Sequence, residues 1–143
     1  MEASVTAAQD ETTNAAEELG FTAGQTVQET GHGQDSDEGL RESIQSVTGT
    51  ELVDEDYEDV ADVVLLWWRE EDGDLTDTLA DAVASLADEG HVWLLTPETG
   101  REGSIDATDI TEAAQTVGLN VTESRGAGPH WTASRLASPK ARR

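Results

Sequence analysis

Apolar positions in this chain of 143 residues gather into a few short blocks, and two of those blocks fix the fold class. Residues 62–68 (DVVLLWW) are apolar after the first position, and so are residues 92–95 (VWLL). Runs this short, apolar on both faces, suit strands buried inside a parallel sheet. Between them Leu75, Leu79, Val83 and Leu86 recur at spacings of four, four and three, which is one stripe of a helix. Strand, helix, strand in that order needs a right-handed crossover, so residues 62–97 predict a βαβ unit.

The pattern is weaker on either side. Residues 1–14 are polar and without period, which predicts a disordered acidic leader. A short helical turn over 15–19 is expected to end at Gly20. Residues 26–30 (TVQET) predict a first strand between Gly24 and Gly31, and residues 31–39 a loop. Leu40, Ile44 and Val47 form a helical stripe closed by Gly49. Leu52 and Val53 predict a short strand ahead of an acidic run. Beyond the central unit, Asp106 is a candidate N-cap for a helix that turns Ile110, Ala113, Ala114 and Val117 inward and stops at Gly118. Residues 119–124 and 131–137, joined by RGAGPH, read as an antiparallel hairpin. The expected architecture is α/β: a small three-layer Rossmann-like sandwich over residues 15–138. Its mostly parallel sheet has about four parallel strands and ends in the hairpin, and a basic tail follows at 139–143.

Charge narrows the partners. The chain has 31 acidic and 8 basic side chains, a formal net charge of -23. Nucleic acid and anionic membrane both demand a basic footprint, so neither is an expected partner. Residues 1–62 hold 17 acidic side chains and one basic one, Arg41, whereas residues 124–143 hold five basic and no acidic ones. With no Cys there is no disulfide, thiolate metal site or cysteine nucleophile. Neither a signal peptide nor an apolar run of about 20 residues is present, and the expected location is cytoplasmic.

In an open parallel sheet, ligands sit beyond the carboxyl ends of the strands. Glu70, Asp72 and Asp74 follow one such end; they suit either a Mg²⁺ site or the capping of the helix that begins at Leu75. The three His (32, 91 and 130) share no ligand or catalytic spacing. Trp67 and Trp68 point to opposite faces of one strand. Trp68 and Trp131, with Arg125 and Arg135, are the candidate interface anchors, since exposed Trp and Arg are the usual ones.

The first strand end, VQETGHG, resembles the opening motif of class I S-adenosylmethionine-dependent methyltransferases. There an acidic residue ends the strand and spaced glycines let the backbone approach the cofactor. Glu29, Gly31 and Gly33 occupy the matching positions and are the candidate cofactor-binding residues, while Asp35 replaces the next glycine. The terminal strands, helices and hairpin are also similar to the second half of that fold, but the elements that complete its cofactor cleft are missing. Over residues 15–143, long stretches such as LVDEDYEDVADVVLLWWREEDGDLTDTLADA and HWTASRLASPKARR resemble an actinobacterial family, Domain of Unknown Function 3052. That resemblance implies a small cytoplasmic protein and supplies no catalytic residues. The functional expectation is a non-catalytic module acting through a protein partner. The alternative is a small-molecule binder, for S-adenosylmethionine or a nucleotide, or a diminished methyltransferase.

Overall fold

A computed structural model of the chain describes residues 16–17, 19–34, 36–54, 56–57, 59–98, 100–127 and 130–138, with backbone alone at 88 and 89. The expected leader and basic tail therefore lie outside the described residues. In order, the elements are β1 (Val27–Thr30), α1 (Glu38–Thr48), β2 (Ala61–Trp67), α2 (Leu75–Ala84), β3 (Leu86–Pro97), α3 (Ala107–Thr116), β4 (Asn120–Ala127) and β5 (Trp131–Ala137). The five strands form one sheet in the order β1-β2-β3-β5-β4.

The central expectation holds: β2 and β3 are parallel neighbours, with Val64 beside Val92, Leu65 beside Trp93 and Leu66 beside Leu94. Successive side chains point to opposite faces, so each apolar run supplies two cores. Val63, Leu65, Trp67, Trp93 and Leu95 pack with Phe21, Val27, Leu40 and Ile44 on the face covered by α1. Val64, Leu66, Val92 and Leu94 pack with Leu79, Ile110 and Ala114 beneath α2 and α3. Burial on both faces is why these strands carry no alternation.

The sheet is less parallel than expected. Only β1, β2 and β3 run parallel; β3–β5 and β5–β4 are antiparallel. Val53 makes a single parallel bridge to Gln28, where a further strand was anticipated. Two apolar residues followed by carboxylates give such a strand too little to bury. The last residue of the predicted α2 stripe lies outside the helix: α2 ends at Ala84, and Leu86 opens β3. Register then jumps from Ala61 beside Leu86 to Val63 beside His91, so the start of β3 is an irregular bulge. The hairpin is as anticipated but longer, with β4 continuing through Ala127 and bulging at Thr122 between Val121 and Glu123.

Helix ends follow their side chains. Asp37 accepts from the Leu40 N–H at 3.1 Å to cap α1, and Gly49, at φ 77°, closes it. Asp74 accepts from the Asp77 N–H at 3.2 Å to cap α2. Asp106 occupies the N-cap position of α3, but its side chain makes no capping bond.

Candidate functional site

The carboxyl edge of β1 and β2 brings Glu29 and Gly31 against Trp67 and Arg69. Period-two alternation turns Glu29 onto the same face as Val27 and Trp67, where it is buried to 8 % exposure. Arg41, in the first turn of α1, reaches back to it. Its Nε donates to Glu29 Oε2 at 2.6 Å and its Nη2 to Oε1 at 2.8 Å. The Trp67 indole N–H donates to Oε2 at 2.8 Å. A buried carboxylate needs such partners, and this one has three. Its hydrogen bonds hold the Arg41 guanidinium more firmly charged than usual, against the opposing effect of burial. Outside the pair, hydrogen bonds from His32 and Arg41 keep the Glu38 carboxyl below its ordinary range.

Gly31 is required by space as well as by its φ of 82°: a Cβ built there would run into the carbonyl oxygen of Trp67. Its own carbonyl accepts from Arg69 Nη1 at 2.7 Å. The Arg69 guanidinium lies 5.3 Å from the Trp131 ring centroid, and Trp131 meets Trp67 edge to face at 4.9 Å. Gly33 closes a turn with Ser36, its N–H donating to Ser36 Oγ at 2.9 Å while its carbonyl accepts from the Ser36 N–H at 3.1 Å. Glu29 and Gly31 are thus brought together, but the chain itself engages their polar groups, and Gly33 serves a turn. Their partners Arg41 and Arg69 escaped the sequence reading. A signal existed for the first: Arg41 is the lone base among the first 62 residues.

Among the described residues no group of three or more His, Asp or Glu is placed to hold a metal ion. Asp72 accepts from the Arg69 N–H at 2.9 Å and Asp74 caps α2, while Glu70 opens a short 3₁₀ turn, Glu70–Asp72. Asp72 and Asp74 accept backbone N–H groups at the starts of these helical turns, as orphan N–H groups there draw carboxylates.

Two of the candidate interface anchors, the tryptophans, prove to be buried. Trp131 and Trp68 are only 3 % and 5 % exposed. Trp131 is sealed by Arg69 and Trp67, and Trp68 packs under α2 and α3. Arg125 pairs with Glu123 at 3.2 Å on β4. Arg135 donates to Thr122 Oγ1 at 3.1 Å and lies 3.5 Å from His91 Nδ1. Burial, reinforced by the Arg135 charge and opposed by Asp62, lowers the His91 pKa to about 4.

The fold is similar to that of solved methyltransferases. The chain superposes on mitomycin 7-O-methyltransferase MmcR with a TM-score of 0.64 at 12 % identity, covering 92 % of this chain and 54 % of that one. The pyocyanin biosynthetic protein PhzM gives 0.67 at 12 % identity, covering 89 % of this chain and 54 % of that one. Magnesium protoporphyrin IX methyltransferase of Synechocystis PCC 6803, solved with bound SAM, gives 0.53 at 13 % identity, covering 92 % and 78 %. The chain therefore spans about half the length of the first two. At these identities the likeness is one of fold.

The chain belongs to the family described as Protein of unknown function (DUF3052), which matches residues 16–140. Uncharacterised proteins of Mycobacterium bovis and Mycobacterium tuberculosis are 48 % identical to it over 139 residues, covering 97 % of this chain and 87 % of theirs. No helix among the described residues is long and apolar enough to cross a membrane.

Proposed function

We propose that this protein is a non-catalytic, cytoplasmic module on a methyltransferase-like fold, with one domain over residues 15–138, that acts through contacts with other proteins. One observation carries the reading. Glu29, at the acidic position of the cofactor motif, is bonded on both oxygens by Arg41 and Trp67, and Arg69 holds the carbonyl of Gly31. A working cofactor turn keeps such groups for its ligand; here they tie β1 to α1 and β2. The segregation of charge between the two ends of the chain supports a role in recognition.

Thermal unfolding with and without S-adenosylmethionine tests the non-catalytic half. A ligand at a hundred times its dissociation constant stabilises by about 2.7 kcal/mol, and no shift is expected here. Affinity capture at low and at high salt tests the other half, because a charge-steered partner is retained only at low salt. If no partner is retained at low salt, the contact role falls.

The second reading is a small-ligand binder for S-adenosylmethionine or a nucleotide. The shared fold favours it, since the Synechocystis enzyme carries SAM. A saturable stabilisation by either compound selects this reading over the first.

A further inference from the structure

At the amino end of β2, across the sheet from the turn at Gly31, an open cavity of about 810 Å³ is lined by Gly20, Thr22, Gly24, Asp62, His91 and Arg135 among others. Arg41 and Arg69 each hold a carboxylate, but Arg135, partly buried on β5, has no carboxylate partner among the described residues. Glu123 lies opposite it in register on β4 and pairs with Arg125 instead. Asp62, the one acidic residue of the lining, is already engaged, its Oδ2 accepting from the Thr26 N–H at 2.9 Å. A partly buried guanidinium without a counter-charge carries a desolvation cost that an incoming anion offsets.

His91 supplies a second donor. It is 8 % exposed, and its Nδ1 lies 3.5 Å from Arg135 Nη2. A guanidinium only donates, so Nδ1 faces it as the acceptor and the ring proton sits on Nε2. Burial and the Arg135 charge keep that ring neutral at physiological pH. Nε2 has no partner among the described residues. It is not sealed in either, because Trp93 Nε1 is the one enclosed side-chain polar atom left without a partner among those residues. Its N–H therefore opens into the cavity that His91 lines. Arg135 and this N–H offer donors only. A simple cation finds no acceptor on either, and a neutral hydroxyl leaves the guanidinium charge unmet. An oxyanion accepts from both and supplies the missing charge.

We propose that this cavity binds an oxyanion, the phosphate or carboxylate group of a small soluble ligand, between Arg135 and His91. The site lies at the opposite end of the strands from the turn that resembles a cofactor motif, and it goes beyond the reading of this chain as a contact module.

The probe is inorganic phosphate, titrated into the ¹⁵N-labelled full chain to tens of millimolar with ionic strength held constant by KCl, and acetate in a parallel arm. The His91 ring and the Gly90 amide report binding. Saturable shifts of both signals are expected with at least one of the two anions; the tighter one assigns the ligand's group as phosphate or carboxylate. R135Q is expected to weaken binding at least about tenfold. D62N removes the neighbouring negative charge while keeping an oxygen for Thr26, and is expected to strengthen binding about threefold or more. E112Q, on the other face of the sheet, makes the same charge change and is expected within about twofold of the parent. Should R135Q fail to fold, the comparison of D62N with E112Q still decides the matter. Absence of a saturable shift with either anion overturns the proposal. Binding undiminished in a folded R135Q overturns it as well. Equal gains in D62N and E112Q also overturn it, by tracing the effect to overall negative charge. None of these outcomes alters the cofactor and capture experiments that test the wider reading.

Discussion

Arg41 lays two donors on the two oxygens of Glu29, at 2.6 and 2.8 Å, across the junction of α1 with β1. The Glu29 side chain is 8 % exposed and that of Arg41 24 %, so the pair is shielded on its acidic side. Removing one partner of such a pair costs more than removing both, because it strands a buried charge. R41M is expected to destabilise by about 3 kcal/mol, and E29Q/R41M by clearly less. Urea unfolding of the single and double variants reads the difference. Equal costs would mean that Glu29 does not depend on Arg41.

Gly31 and Gly49 both have left-handed φ, 82° and 77°, but only Gly31 has another part of the chain against it. Backbone strain alone costs about 1–2 kcal/mol, which is the whole penalty expected for G49A. G31A adds displacement of the Trp67 carbonyl and is expected to cost at least about 1 kcal/mol more. Denaturant midpoints of the two variants test this, and parity between them would contradict the close approach.

His91 gives the protein a pH dependence with a definite sign. Its pKa lies at about 4 when folded, against 6.5 for an unperturbed histidine. Between those values the unfolded chain binds a proton that the native state refuses. Stability from this group is complete above about pH 6.5 and declines as pH falls to about 4, by on the order of 3 kcal/mol. Subtracting the pH–stability curve of H91Q from that of the parent isolates this contribution from the many carboxylates. A flat difference between pH 4 and 6.5 would show His91 titrating normally.

Trp67 and Trp93 are both fully buried, yet their indole N–H groups fare differently. That of Trp67 meets Glu29, whereas that of Trp93 has no partner among the described residues. A hydrogen bond to a charged group contributes about 1.5–3 kcal/mol, while an unpaired buried donor is a cost that Phe removes. W67F is therefore expected to be less stable than W93F by about 2 kcal/mol in chemical denaturation. The reverse order would contradict the role given to the Trp67 bond.

Local pattern made the βαβ centre legible, because residues 62–68 and 92–95 are buried on both faces and so carry unbroken apolar runs. The stripes of α1 and α3 and the stop at Gly49 were legible for the same reason. The start of β3 was not: Ala87, Asp88, Glu89 and Gly90 have poor strand propensity and form the bulge between the Ala61–Leu86 and Val63–His91 pairs with β2. Trp131 looked exposed beside a glycine-bearing turn because its cover, Trp67 and Arg69, lies more than sixty residues away in sequence. Glu29 and Gly31 were recognised as a motif, but the motif says nothing of what the carboxylate faces. That depends on Arg41 and Trp67, which three-dimensional packing alone brings to it.

The central claim is that the turn after β1 is committed to the chain's own packing. A ¹⁵N-labelled sample titrated with S-adenosylmethionine tests it residue by residue, through the Trp67 indole and Gly31 amide signals. The account predicts that both stay in place at millimolar ligand. A saturable shift of both, abolished by E29Q, would contradict it.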